Sequence, residues 1–405
     1  MSIIKQYIKR ERYLDKIKPF IDKDIIKVIV GQRRVGKSYL LFQIMDVIKK
    51  KRKASNIIYI NKELNEFDKL RNYQDLLNYI KKNSKKGKKN YIFIDEIQDI
   101  DKFEKALRSL KAGGKYDIYC TGSNSNLLSG ELATYLSGRY IEIQVFGLSY
   151  REFLVFHKLK NNQESLLKYI KYGGLPYLKH LELEDAIVYD YLKNVYSTIL
   201  YKDIVRRYKI RNPAFLENLV EYLAENTGSI VSAKKISDFL KSQKINISLN
   251  IVLDYLSFLT SAFFVFKTDR FAIQGKKIFE INNKYYFEDI GLRHSVIGYK
   301  QTDINKVLEN LVFLHLRVLG YKVFVGKLGN KEIDFVCEKQ GEKIYIQVAY
   351  LISKQNKERE FGNLLEIKDN YPKFVVSMDE FIGDNKYKGI KHIHIRDFLS
   401  SDLAI

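Results

Sequence analysis

Along the first 150 residues, short apolar runs alternate with amphipathic stretches. Ile25 to Val30 (IIKVIV), Asn56 to Asn61 (NIIYIN), Tyr91 to Asp95 (YIFID), Tyr116 to Thr121 (YDIYCT) and Ile141 to Phe146 (IEIQVF) are each four to eight residues long and almost wholly apolar. Runs of this kind predict strands buried on both faces of a parallel sheet. From Pro213 the period changes to that of helices: AFLENLVEYLAEN, SAKKISDFLKSQ and SLNIVLDYLSFLTSA, with Ser232 and Ser248 at the cap positions of the second and third. Two strand-like runs follow, FFVFK and KIFEINNKYYF, with TDRFAIQGK between them, so a helix-turn-helix with a β hairpin is expected. The last hundred residues begin with the amphipathic INKVLENLVFLHLRVLG and continue with the strand candidates YKVFVGK, KEIDFVCEK and KIYIQVAYLI.

These changes of pattern predict an α/β protein of three domains. Residues 1–211 form a parallel-sheet core with flanking helices and a helical lid, broken by YGGLPYL at Tyr172 to Leu178 and ending near Asp203 to Arg211. Residues 212–300 form the helical domain with its hairpin, and residues 301–405 a second α/β domain.

The chemistry concentrates directly after the first strand. GQRRVGKS, Gly31 to Ser38, fits G-x-x-x-x-G-K-[ST] and leads into the helical pattern of Tyr39 onward. In such a loop Gly31 and Gly36 permit tight backbone, and the amides of Gln32, Arg33, Arg34 and Val35 can face phosphates. Lys37 reaches the β and γ phosphates, and the Ser38 hydroxyl ligates Mg²⁺. YIFIDEIQ places Asp95 and Glu96 at the end of a buried strand, 58 residues after Lys37. Asp95 suits holding Mg²⁺ through a water, and Glu96 suits activating the attacking water. In the AAA+ class, which this block resembles, the end of the next strand holds a polar sensor of the γ phosphate, and Asn124, or Ser123, matches that place. Arg139, in LSGRY, suits an arginine finger or sensor, with Arg33 and Arg34 as competing sources of positive charge. The strand inserted between the two motifs, with a glutamate directly after the aspartate, resembles the AAA+ and RecA-like ATPases more than kinases or small GTPases.

The net charge of +22 comes from 70 Lys and Arg against 48 Asp and Glu, concentrated in KKKRK at Lys49 to Lys53 and KKNSKKGKK at Lys81 to Lys89. A polyanion is one partner this suggests; a solvated surface is the other reading. The third helix of the middle domain offers Ser248, Asn250, Asp254 and Ser257 and no Lys or Arg, which suits base reading poorly. The hairpin, with Lys267, Arg270, Lys276 and Lys277, suits phosphate contact better. Cys120 and Cys337 lie inside strand-like runs, as buried reduced thiols do. No apolar run approaches the roughly 20 residues needed to span a bilayer, so a soluble cytoplasmic protein is expected.

In the last domain Glu309 on the helix, Asp334 on one strand and Gln347 on the next form a restriction-endonuclease-like arrangement of metal ligands. Gln347 stands where a second acid is wanted and Ala349 where a lysine is wanted. Lys343 shares the strand face of Gln347 and Ala349 but starts too far off to replace the lysine, so loss of cleavage is expected.

Taken in order, GQRRVGKS, IDEIQ, TGSNS, LSGRY, YGGLP, EIDFV and IQVAY make the chain resemble a broad archaeal and bacterial family of AAA+ type P-loop ATPases. Its members carry a C-terminal winged helix and a restriction-endonuclease-like (PD-(D/E)xK) domain. The resemblance implies an oligomeric, Mg²⁺-dependent ATPase that binds ATP. It leaves open three roles: acting on DNA largely without sequence preference, serving as a nucleotide-controlled interaction protein, or cutting DNA as an ATP-gated nuclease.

Overall fold

The computed structural model describes residues 7–125, 136, 138–242, 247–273, 283–353, 355–380 and 386–403. They divide into two compact units, Met1–Phe146 with Ser261–Phe263, and Gly147–Thr260 with Phe264–Ile405.

The first unit is a five-stranded parallel sheet of β1 (Ile26–Val30), β2 (Asn56–Asn61), β3 (Asn90–Asp95), β4 (Tyr116–Gly122) and β5 (Tyr140–Gln144), in the order β2-β3-β4-β1-β5. All five strands expected from the apolar runs are present. Helices α1 (Glu11–Ile17), α2 (Lys37–Lys51), α3 (Tyr73–Asn83) and α4 (Phe103–Ala112) belong to the same unit. Every residue of β1 and β3 is buried, which is why these strands read as continuous rather than alternating. The polar residue of β1, Lys27, is wholly buried and pairs with buried Asp117 at 2.5 Å. β1 lies between β4 and β5, so the loop that follows it opens where the connections diverge, the place such sheets use for ligands.

The second unit begins earlier than the sequence suggests. Helices α5 (Tyr150–His157), α6 (Gln163–Tyr172) and α7 (Asp185–Thr198) were expected as a lid on the first sheet. The apolar side chains of α5 and α6, including Phe153, Leu166 and Ile170, instead share a core with Val312, Phe335, Ile346 and Phe398 of the C-terminal segment. The unit boundary therefore falls at Phe146/Gly147 and not near Arg211. An amphipathic helix declares that one face will be buried, but not against which core.

Next come α8 (Pro213–Glu225), β6 (Ile230–Val231), α9 (Ala233–Ser242), α10 (Leu249–Ser261), β7 (Val265–Thr268), β8 (Arg270–Ala272) and β9 (Asn283–Phe287), followed by α11 (Ile290–Ile297). β6, β9 and β7 form an antiparallel three-stranded sheet. β8 falls in the segment expected as the hairpin's loop, yet it pairs in parallel with the C-terminal sheet. Lys276 and Lys277 lie outside the described residues.

The C-terminal segment runs α12 (Ile304–Val318), β10 (Lys322–Leu328), β11 (Lys331–Lys339), β12 (Glu342–Val348), α13 (Lys357–Leu365), β13 (Lys373–Ser377), β14 (Lys386–Tyr387), β15 (Ile390–His394) and α14 (Ile395–Ser400). Its sheet has the order β14-β15-β13-β12-β11-β10-β8. β10, β11 and β12 are antiparallel neighbours, and β12, β13 and β15 run parallel. Alternation along β11 and β12 sends Phe335, Ile344 and Ile346 to the core under α12, and Val336 and Tyr345 to the core that holds Phe361 and Leu364 of α13. Among the described residues no helix is long and apolar enough to cross a membrane. Both cysteines are buried and free.

Candidate nucleotide site and acidic cluster

The loop after β1 is tight because it lies against the end of β5. Gly31 has φ 153°, and a Cβ there would meet the Val145 carbonyl oxygen at 2.2 Å, so only glycine fits. Gly36 is left-handed (φ 95°) and starts α2, putting the amides of that helix end at the loop. Lys37 is 4% exposed, and its Nζ donates to the carbonyls of Gly31 (2.9 Å) and Gln32 (3.0 Å). Gln32 is fully buried, and both atoms of its side-chain amide have no hydrogen-bond partner, an arrangement that costs free energy unless a ligand or water supplies one. Val35 is buried, whereas Arg34 (φ 72°) and Tyr39 are exposed. Arg33 donates to Glu63 at 2.8 Å.

The acids arrive from β3 as the spacing predicts. Thr121 at the end of β4 ties them together: its hydroxyl donates to Asp95 Oδ1 (2.5 Å) and accepts from the Glu96 backbone N–H (3.0 Å). Ser38 also hydrogen-bonds Asp95. Burial raises the Asp95 pKa, opposed by the bonds from Thr121 and Ser38. Glu96 takes a left-handed backbone (φ 54°), and its carboxylate accepts from Gln98 and from Ser123 (3.2 Å) and lies 3.8 Å from Lys37 Nζ. Burial would raise its pKa, but Lys37, Gln98, Arg33 and Ser123 outweigh that and hold it below the ordinary range, so it is a carboxylate at neutral pH. Asn124 is buried beside Ser123.

Arg139 is not brought to this site. It is exposed at the start of β5, where its carbonyl accepts from Ile26 at the beginning of β1, whereas the loop leaves the far end of that strand. Of two residues that motif reading passes over, Arg10 reaches the loop itself and Tyr13 the segment just beyond β5 that borders it. Arg10, 3% exposed, donates to the carbonyls of Val35 (3.0 Å) and Phe146 (2.9 Å), and the Tyr13 hydroxyl accepts from the Phe146 N–H (3.1 Å). Neither has a local signature beyond an arginine and a tyrosine in a charged N-terminal stretch.

In the second unit the three residues expected as metal ligands do converge. Glu309, Asp334 and Gln347 line one cavity of about 560 Å³ together with Glu332, Ala349, Arg359 and Glu360, among others. The Asp334 carboxylate accepts from the Val348 N–H (2.8 Å), and the Gln347 side-chain oxygen faces the Asp334 N–H (3.4 Å). Burial and then Glu309 push the Asp334 pKa well up. Lys343 is elsewhere, 3.3 Å from Glu338 and over the Phe271 ring. The lysine found among the acids is Lys284 of β9, which sequence spacing gave no reason to suspect: its Nζ lies 2.8 Å from both Glu309 and Glu332 and 3.9 Å from Asp334.

A family model described as AAA domain matches residues 23–154, and one described as a domain of unknown function (DUF8612) matches residues 163–303. An uncharacterized protein of Haemophilus influenzae is 39% identical over 403 residues, 98% of this chain and 99% of its own length. Uncharacterized protein MJ1544 of Methanocaldococcus jannaschii is 36% identical over 353 residues, 83% of this chain and 77% of its own. Among solved structures, the Aeropyrum pernix ORC1 protein in complex with DNA has 11% identity and a TM-score of 0.32, covering 72% of this chain and 92% of that one. The chain belongs to the family of the Haemophilus influenzae and Methanocaldococcus jannaschii proteins, and its N-terminal block is an AAA-type P-loop ATPase domain.

Proposed function

We propose that this ATPase uses ATP with Mg²⁺ and is coupled to nucleic acid, which it holds through charge more than through base readout. The observation that carries the hydrolytic part is the convergence of Lys37, Ser38, Asp95 and Glu96 on one loop, with Glu96 kept ionised. Lys37 turns from its own loop carbonyls toward the β and γ phosphates. Glu96 accepts the proton of the attacking water, and Ser123 and Asn124 report on the γ phosphate. Ser38 and Asp95 suit holding Mg²⁺, which when bound neutralises phosphate charge. Gln32, buried with an unpartnered amide, fits a ligand-facing loop. In this reading Arg139, exposed and remote from its own loop, acts as an arginine finger on a neighbouring subunit's nucleotide, so that hydrolysis would depend on assembly.

In this reading α8, α9 and α10 with the β6-β9-β7 sheet are a winged helix. The order α12-β10-β11-β12-α13-β13 is a restriction-endonuclease-like fold that has lost cleavage. The net charge of +22 supports a polyanionic partner. The test is ATP turnover by the full-length chain with and without double-stranded, single-stranded and branched DNA. Stimulation that weakens steeply between about 50 and 200 mM salt is expected. Turnover indifferent to all three DNAs, with no binding at about 100 mM salt, removes the nucleic-acid part.

One observation favours a second reading, a nucleotide-controlled protein-interaction ATPase. α10 exposes three large apolar side chains, Leu249 (44%) and Leu253 (50%) on one flank and Ile251 (40%) on the other, which suit protein contact better than a groove in DNA. It predicts nucleotide-dependent assembly without DNA affinity, visible in sedimentation.

A further inference from the structure

Lys284 sits on β9 of the three-stranded sheet, yet its ammonium ends among carboxylates carried by α12 and β11. Its side chain is 3% exposed, with Glu309 and Glu332 each 2.8 Å away. Tyr286, two residues on and therefore on the same strand face, donates its hydroxyl to the same Glu309 oxygen at 2.6 Å. β9 itself is locked to α12 by the fully buried Asn310. That side chain accepts from the Phe287 N–H (2.7 Å) and donates to the Phe287 carbonyl (2.9 Å), as a neighbouring strand would. The lysine is thus delivered by a strand whose position is fixed on both sides of it.

A restriction-endonuclease-like fold implies a divalent metal between these acids, and the residues present do not fit one. A hard dication needs carboxylate oxygens with free lone pairs. Here one oxygen of Glu309 and one of Glu332 both take the ammonium, the same Glu309 oxygen also takes the phenol, and one Asp334 oxygen takes the Val348 N–H, so a dication at the point where the acids converge would have to displace the lysine. Among the described residues no group of three His, Cys, Asp or Glu is arranged to hold a metal ion. An ammonium already at the centre also repels a dication at short range.

We infer that Lys284 is the cation of this site: a built-in ammonium from the three-stranded sheet fills the acidic cluster in place of a divalent metal and closes the cavity beside it to metal-dependent cleavage. Three carboxylates within 4 Å of the Lys284 Nζ surround the ammonium with opposite charge. The inference stands whether or not the ATPase is coupled to nucleic acid, because it concerns only the ions of this cluster.

The test is Mn²⁺ binding to the nucleotide-free full-length chain, read by electron paramagnetic resonance. Wild type and Asp334→Asn are expected to bind the same amount of Mn²⁺, since the cluster takes none in either. Lys284→Met is expected to gain a site of roughly one ion per chain that Lys284→Met/Asp334→Asn lacks, and Lys284→Arg, which keeps a cation, to gain none. A Mn²⁺ site in wild type that disappears in Asp334→Asn overturns the inference. So does a cooperatively folded Lys284→Met that gains no site. Should Lys284→Met fail to fold, the wild-type and Asp334→Asn pair decides alone.

Discussion

Arg10 Nη1 donates to the carbonyl of Val35, inside the phosphate loop, and to that of Phe146, just beyond β5, at 3.0 and 2.9 Å. One buried guanidinium therefore fixes the back of the loop to the strand that borders it. Arg10→Met should leave two buried carbonyls short of a donor and cost about 2–4 kcal/mol. With the loop less ordered, the KM for ATP should rise about tenfold, equivalent to about 1.4 kcal/mol, while kcat changes less. Urea unfolding and steady-state ATP turnover measure the two effects. An unchanged KM would confine Arg10 to stability.

Glu96 and Lys37 are 3.8 Å apart but should fail differently when removed. Glu96→Gln keeps the side-chain shape and loses the base, so fluorescent ATP should still bind while phosphate release slows by about 10²–10⁴-fold. Lys37→Ala should lose binding itself, because it removes the ammonium that reaches the β and γ phosphates. Equal loss of binding in both variants would contradict the division of roles.

The loop and the acid pair were legible in the sequence because each is a contiguous motif attached to a fully buried strand, so a few residues carry the whole signal. The acidic cluster was legible only in part. Glu309, Asp334 and Gln347 follow from the order of one helix and two strands, but Lys284 reaches them through three-dimensional pairing that leaves no local spacing to read. β8 was missed for a related reason. Three residues, Arg270 to Ala272, do not declare which sheet they will join, and their partner strand lies some fifty residues later. Thr121 was visible only as part of a polar strand end; its role as the link between Asp95 and Glu96 depends on β3 and β4 being neighbours.

Asn310 is fully buried and satisfies both peptide groups of Phe287. Asn310→Leu should leave that N–H and C=O unpaired in the core and lower stability by about 2–4 kcal/mol. Because β9 carries Lys284, the loss should appear as a lower denaturant midpoint with earlier exchange of the β9 amides. A variant as stable as wild type would show that β9 is held by its strand partners alone.

Acid should destabilise the second unit through its histidines. His294 has Nε2 3.2 Å from the Ile170 carbonyl and Nδ1 3.4 Å from the Arg293 guanidinium, so the neutral ring donates on one side and accepts on the other. Burial, and then Arg293, lowers its pKa to about 3, and burial lowers His157 and His392 to about 4. Each folded-state value lies below the 6.5 of the unfolded chain, so the unfolded chain binds the proton first. Stability is full above about pH 6.5 and is lost as the pH falls toward those values, at no more than about 1.4 kcal/mol per pH unit for each ring. Asp289 opposes this trend. Burial raises it to about 6, above its unfolded value, so its share of stability grows as the pH falls through 6. Comparing wild type with His294→Gln separates the two effects, since Asp289 is common to both. The stability gap between them should narrow, or change sign, as the pH drops from 7 to 5 in thermal unfolding. A gap that stays constant over that range would mean that His294 is not the buried neutral group its surroundings require.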